Sequence, residues 1–141
     1  MPNHFHMLVW QKDQMTMANF MRSIGTKYSR YFNKKYHRVG PVFQSRYKAV
    51  LVTGENQFIY LSKYIHRNPL PTRTDLVGLE GYKYSSYLNY LGLINQTWLG
   101  TSEIISYFSK SNTGETYKKF VEEIDETDLI RIKDLMLDFD F

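Results

Sequence analysis

The sequence predicts a domain of the α+β class, because stretches with the two-residue period of a strand alternate with stretches of helical period. Residues 4–10 and 42–52 alternate in the strand manner, whereas residues 16–35 and 56–68 repeat their apolar side chains at spacings of three and four. The chain has 141 residues, 43% of them apolar and 16% aromatic, which is enough for one packed core.

The first predicted strand carries two histidines in an otherwise apolar run. The two-residue period places His4, His6 and Leu8 on one face, and it places Phe5, Met7 and Val9 on the other. Two imidazoles that share a strand face are a candidate ligand pair.

The helix predicted over residues 16–35 has one apolar stripe, formed by Met17, Phe20, Met21, Ile24, Tyr28 and Tyr31. In the second predicted strand, Gln44, Arg46 and Lys48 share a polar face. A second helix over residues 56–68 is stopped by Pro69, because a proline disfavours helical geometry in the residue before it. Further helices are predicted near residues 102–109 and, with an acidic sequence, from about residue 113.

Charge is unevenly distributed along the chain. Residues 12–48 contain nine Lys or Arg and one acid, whereas residues 49–141 contain nine against thirteen, so that +8 and −4 give the net +4. A basic segment with interspersed aromatic residues suits a polyanion with stackable bases, but a solvated basic helix over an aromatic core has the same composition. Charge alone leaves both interpretations open.

Composition also predicts the compartment. The sequence has no cysteine, no secretory signal, and no apolar run near the roughly 18 residues that a membrane span needs. A soluble intracellular protein with no membrane partner is therefore expected.

The second predicted helix places the amide of an asparagine next to the phenol of a tyrosine. Tyr64 and Asn68 are four residues apart and so share one helix face. If that face meets His4 and His6 in a common cleft, as we predict, two imidazoles, an amide and a phenol surround one point, which suits a divalent cation and a nucleophile. Each residue also has a structural explanation, since such histidines, a helix-ending asparagine and a core tyrosine are common.

Four segments together resemble one family. Met1-Pro-Asn-His-Phe-His-Met-Leu-Val, Gly40-Pro-Val-Phe-Gln-Ser-Arg-Tyr-Lys, Tyr64-Ile-His-Arg-Asn-Pro, and Ser85-Ser-Tyr with Tyr90-Leu-Gly resemble HUH-type tyrosine transposases of the insertion-sequence-200 kind. The likeness is closest to the REP-associated tyrosine transposases of bacteria. It implies that His4 and His6 are the metal-binding pair, that Tyr64 is the catalytic tyrosine, and that Asn68 is a third ligand to Mg²⁺ or Mn²⁺.

The resemblance implies a reaction on single-stranded DNA flanked by hairpins. Tyr64 attacks a phosphodiester, forms a 5′-phosphotyrosine bond and releases a 3′-hydroxyl, and a second strand end reverses the step. The DNA would be held by basic and polar residues that lie mostly in the first half of the chain: Arg22, Lys27, Arg30, Lys34, Lys35, Gln44, Arg46, Lys48, Lys63 and Arg67.

The fold implied by the resemblance is a ferredoxin-like or RRM-like antiparallel sheet with helices on one face. Compared with the family's pattern, we expect the first strand and helix to be missing here and a C-terminal helical tail to follow the domain. We therefore predict an N-terminally truncated catalytic domain over residues 1–95 and a helical extension over residues 96–141. The resemblance places the protein in the bacterial cytoplasm, on the nucleoid when bound to DNA, and leaves monomer and homodimer open.

Two other functions remain open from the sequence. A truncated derivative could bind hairpin DNA without cutting it, and a rolling-circle replication or relaxase-type HUH nuclease shares the histidine pair and the tyrosine. A recombinase that uses three acids is disfavoured, because the acidic residues lie mostly in the tail.

Overall fold

The computed structural model describes residues 4–69, 78–108 and 113–123, which belong to two compact units. Of these residues, one unit contains 4–8, 51–69, 78–108 and 113–123, and the other contains 9–50. Outside the described residues lie residues 1–3, 70–77 and 109–112 and the tail after residue 123. The predicted division at residue 95 stays a prediction.

The regular elements in the described part of the chain are all helical. They are α1 (Thr16–Lys35), α2 (Glu55–Arg67), a short 3₁₀ turn (Leu79–Gly81), α3 (Tyr87–Tyr90), α4 (Ser102–Ile105) and α5 (Thr113–Glu122).

The predicted antiparallel, ferredoxin-like sheet is therefore wrong. Residues 4–10 and 42–52 carry no strand, and no sheet occurs among the described residues. A two-residue period indicates only which side chains share a face, whereas a strand also requires a neighbouring backbone to pair with its N–H and C=O groups. In the described ranges, neither segment has such a ladder.

Helix α1 has the predicted bounds, and the hydrogen bonds at its two ends explain where it begins and ends. The carboxylate of Asp13 accepts hydrogen bonds from the backbone N–H groups of Met15 and Thr16, both at 3.0 Å, and so serves the open start of the helix. At the other end His37 takes a left-handed conformation (φ 51°), and the Arg38 N–H reaches back to the Asn33 carbonyl at 2.9 Å. This is the Schellman type of helix end.

The apolar stripe of α1 is not buried in a core. No residue of α1 is fully buried, and Phe20, Tyr28 and Tyr31 are among its more exposed side chains. The ring of Tyr28 instead contacts Phe32 and Phe43, with both pairs of centroids 5.9 Å apart. The smaller unit is therefore held by aromatic contacts on one side of a single helix.

Helix α2 begins after Gly54, whose extended backbone serves as the N-cap. Its third residue, Gln57, accepts a hydrogen bond from the Thr53 backbone N–H at 2.8 Å, much as in a capping box. The helix ends at Arg67, directly before Asn68 and Pro69, in agreement with the predicted proline stop.

The core of the larger unit lies between α2 and the C-terminal helices. Its fully buried apolar members come from the 3₁₀ turn, α3, α4 and α5: Leu79, Tyr87, Ile104, Tyr117 and Val121. The start of α5 packs closely against the backbone of Leu91, because a Cβ added at Gly114 would lie 2.8 Å from the Leu91 carbonyl oxygen. Helix α5 is thus a structural part of the unit that contains α2.

Candidate active site

The two histidines of the N-terminal segment lie beside each other. The ring centroids of His4 and His6 are 5.2 Å apart and the rings are nearly perpendicular, at 89°. The alternation that predicted a shared face therefore brings the imidazoles together, although the segment is not a strand. His4 is exposed, whereas His6 is half-buried and its Nε2 atom is shielded from solvent.

His6 also contacts the helix that carries the candidate nucleophile. Its ring centroid is 5.5 Å from that of Tyr64, with an angle of 71° between the rings. Tyr64 lies in the last turn of α2 and is partly exposed. The structure thus places both histidines and Tyr64 in one cluster of the larger unit.

Asn68 is the C-cap of α2, and its backbone N–H donates to the Tyr64 carbonyl at 3.0 Å. Its backbone is still helical (φ −53°, ψ −30°), so the side chain projects from the same face of α2 as Tyr64. That Asn68 joins His4, His6 and Tyr64 in one site stays a prediction.

The donor set suits a divalent cation bound with water or phosphate oxygens. Two imidazoles bound to one ion, each through a nitrogen about 2.1 Å away, have ring centres roughly 5 Å apart, which the histidine pair already matches. Among the described residues no three histidine, cysteine or acidic side chains cluster as a metal site. An ion here would take its other ligands from the Asn68 amide, water or substrate.

A buried polar network lies on the other side of α2. Nδ1 of His66 is 2.8 Å from the Tyr117 hydroxyl, and its Nε2 is 2.8 Å from the Ser86 hydroxyl. The Tyr117 hydroxyl donates to Ser62 Oγ at 3.1 Å, and Ser62 donates to the Ile59 carbonyl at 2.7 Å. This network joins α2 to α5 and to the residue before α3.

Burial sets the protonation of this network. It lowers the pKa of His66 to about 4 and raises the pKa of Tyr117, so both are uncharged near neutral pH. Sequence reasoning missed both residues. The available signal was the position of His66, two residues from Tyr64 and thus on the opposite side of the helix.

The depressed pKa of His66 predicts loss of stability in mild acid. The unfolded chain binds a proton near pH 6.5, whereas folded His66 stays uncharged until about pH 4. The stabilisation is therefore complete above about pH 6.5 and is lost as the pH falls through 4. We expect the free energy of unfolding to fall by about 3 kcal/mol between pH 7 and pH 4 in chelator-treated protein, measured by urea denaturation.

The control for this acid effect is His66→Gln, which has no titrating group at that position. The rings that face His66 belong to Tyr87, Tyr90 and Tyr117. Burial raises the pKa of Tyr90 and of Tyr117, so neither titrates in this range. The variant should lose less stability than the parent over the same interval. Equal losses would assign the acid effect to other groups.

Two cations of the predicted DNA-binding set contact helix α5. Lys63 is only 4% exposed, and its Nζ lies 4.9 Å from the centre of the Phe120 ring. Arg67 donates from one guanidinium nitrogen to the carbonyl oxygens of Val121 at 2.8 Å and Glu122 at 3.1 Å. These side chains therefore hold α2 against the end of α5 in this structure.

The remaining predicted DNA-binding residues lie in the smaller unit and are exposed: Arg22, Lys27, Arg30, Lys34, Lys35, Gln44, Arg46 and Lys48. Arg22 and Arg30 line a shallow groove of about 480 Å³ beside α1, together with Thr26, Ser29, Asn33 and Phe43. Hydrogen bonding to Tyr31 raises the pKa of Lys35, which keeps its positive charge. The unit offers cations, hydroxyls and an aromatic ring on one surface.

One protein family matches the N-terminal part of the chain. A family model described as "Transposase IS200 like" matches residues 1–68, a range that contains the histidine pair and ends at Asn68. Neither a curated protein nor a solved structure matches the chain. No helix within the described residues is long and apolar enough to cross a membrane.

Proposed function

We propose that this chain, whose residues 1–68 belong to the IS200-like transposase family, cuts and rejoins single-stranded DNA through a covalent bond to Tyr64. The function class, a transposase acting on DNA, follows from the family. The covalent chemistry is supported by one observation above the others, which is that His6 lies against both His4 and Tyr64. The matched range contains all three residues.

The proposed reaction exchanges one phosphate ester for another. The Tyr64 oxygen attacks phosphorus, a tyrosyl–phosphate bond forms, the bond from phosphorus to the 3′ oxygen breaks, and that oxygen leaves as a 3′-hydroxyl. The phenol proton passes to water, and the leaving 3′ oxygen takes a proton from water. Because the phosphotyrosine keeps an ester bond of similar energy, another 3′-hydroxyl reverses the step and joins new DNA.

The histidine pair supports a metal requirement for this reaction. His4, His6 and Asn68 would hold Mg²⁺ or Mn²⁺, and the bound ion would supply Lewis-acid polarisation of the phosphodiester. A free phenol has a pKa near 10, so Tyr64 needs nearby positive charge to react as a phenolate. Lys63 and Arg67 contact α5, which leaves this role to the histidine side of the site.

The contacts also favour Tyr64 over Tyr60, which lies one turn earlier on α2. The ring of Tyr60 packs against Phe120 of α5 with centroids 5.6 Å apart, whereas the ring of Tyr64 packs against His6. A packing role for Tyr60 and a reactive role for Tyr64 are consistent with these partners.

Covalent trapping tests the proposal. The full chain is incubated with end-labelled single-stranded DNA carrying a hairpin, in Mg²⁺ or Mn²⁺, and run on a denaturing gel. We expect a protein–DNA adduct that needs the metal and is absent when fully duplex DNA replaces the single strand. DNA binding without an adduct under any metal would support the alternative, a module that binds hairpin DNA without cutting.

The groove beside α1 predicts how binding responds to charge. Replacing Arg22 and Arg30 by Gln should weaken single-stranded DNA binding and reduce the slope of log K against log salt by about 1.4, since each lost phosphate contact removes about 0.7. Fluorescence anisotropy at several salt concentrations measures both quantities.

The matched control for the groove removes two exposed lysines of the larger unit, Lys83→Gln with Lys119→Gln. It subtracts the same charge, so a general effect of net charge would appear equally in both double variants. If the control lowers the salt slope as much as the Arg22 and Arg30 changes, the groove is not the binding surface.

A further inference from the structure

The buried hydrogen-bond network of Ser62 and His66 lies on the side of α2 opposite to Tyr64, and it affects how Tyr64 is oriented. Ser62 and His66 each lie two positions from Tyr64, which is about 200° around the helix axis. Both are 3% exposed, and both contact the single hydroxyl of Tyr117. The Tyr117 hydroxyl of α5 is therefore hydrogen-bonded to two successive turns of α2, on the side opposite to Tyr64.

The hydrogens of this network can be placed in only one consistent order. Ser62 donates to the Ile59 carbonyl, so its oxygen accepts from Tyr117. The Tyr117 oxygen has then used its hydrogen and must accept from His66 Nδ1–H, which leaves Nε2 to accept from Ser86. His66 is thus neutral with its proton on Nδ1, and every side-chain polar atom of Ser62, His66 and Tyr117 has a partner in this network.

We propose that His66 is a positioning residue, which fixes the rotation of α2 so that Tyr64 faces His6. A helix whose back face is tied at two turns to α5, and through Nε2 to Ser86, has little freedom to turn about its axis. The Tyr64 ring, held at 5.5 Å from that of His6, depends on this rotation. Its effect on DNA chemistry rests on the proposed function, whereas its effect on the placement of Tyr64 does not.

The rest of the α2–α5 contact supports the same role. Arg67 bonds the last carbonyls of α5, and Lys63 and Tyr60 lie over Phe120. These contacts set the distance between the helices, but long side chains over an aromatic ring tolerate rotation. The network of His66 is directional and rigid by comparison, because each hydrogen bond weakens steeply when its angle changes.

The test combines a placement readout with a rate readout. In NMR spectra of the full chain at pH 7, we expect His66 to show the Nδ1–H tautomer and a nuclear Overhauser effect to join the rings of His6 and Tyr64. The variant His66→Phe keeps the volume but bonds neither Tyr117 nor Ser86, and should lose that ring-to-ring effect. The variant His66→Asn keeps a donor near Nδ1 and should retain it.

In single-turnover trapping, His66→Phe should slow adduct formation at saturating DNA by about 10- to 100-fold. The DNA concentration that gives half the maximal rate should stay unchanged, because a side chain that is 3% exposed cannot touch DNA. His66→Asn should recover most of the rate. If His66→Phe does not fold, Ser86→Ala, which removes only the hydroxyl at Nε2, takes its place with the same readouts and a smaller expected loss of rate.

Three results would overturn the positioning role: the other tautomer in the parent protein, an unchanged His6–Tyr64 ring effect in His66→Phe, or a parallel loss of DNA affinity and rate that Asn fails to restore. If the parent protein forms no adduct while the ring effect responds as expected, the proposed transposase chemistry fails and the placement of Tyr64 by His66 stands.

Discussion

Replacing Tyr64 by Phe should abolish the covalent protein–DNA adduct while leaving folding and DNA binding intact. Only the attacking oxygen is removed, so no phosphotyrosine can form, and a loss of adduct to background is expected rather than a partial decrease. The phenyl ring still fills the space beside His6, which lies 5.5 Å away between centroids. The measurement is trapping on labelled single-stranded DNA, with anisotropy of the same DNA as the binding assay.

Tyr60→Phe is the matched control, because it removes a hydroxyl from the same helix one turn earlier. Its ring packs on Phe120, a contact that phenylalanine keeps, so adduct formation should continue at close to the parent rate. The assignment of the nucleophile is refuted if the Tyr64 variant still forms the adduct and the Tyr60 variant does not.

The helices could be predicted from the sequence because their signals are local. The apolar spacing in residues 16–35 and the Pro69 stop after α2 each act within a few residues, and the observed bounds agree. The sheet could not be predicted in the same way, because strand pairing depends on a partner far away in the chain. The alternation at residues 4–10 predicted correctly that His4 and His6 share a side, but it carried no information on pairing.

The candidate site shows the same division between local and distant information. The adjacency of Tyr64 and Asn68 on α2 follows from helical spacing alone. The packing of α5 against α2 does not, since it joins residues more than fifty positions apart, such as His66 and Tyr117. That packing buries Lys63, which sequence reasoning had assigned to DNA on the basis of its charge.

The buried network also predicts the cost of losing one hydroxyl. Tyr117→Phe leaves the ring in the core but removes the group that both His66 and Ser62 contact. A buried N–H on His66 then has no acceptor, and Ser62 loses a donor, which costs about 1–3 kcal/mol for each unsatisfied group. We expect the urea midpoint at pH 7 to fall with an unchanged m-value, because the same surface is exposed on unfolding.

Tyr87→Phe is the comparison that separates this network from the general cost of removing a buried hydroxyl. Tyr87 is as buried as Tyr117, at 1% against 0% exposed, but its hydroxyl donates to the carboxylate of Glu122 at 3.2 Å. Glu122 is exposed, so its oxygen can bond water once Tyr87 loses its hydroxyl, and the expected cost is below about 1 kcal/mol. Equal destabilisation by the two variants would mean that the bonds to His66 and Ser62 add nothing to the stability of the α2–α5 contact. A larger loss for Tyr117→Phe would show that this contact is held by directional hydrogen bonds as well as by apolar packing.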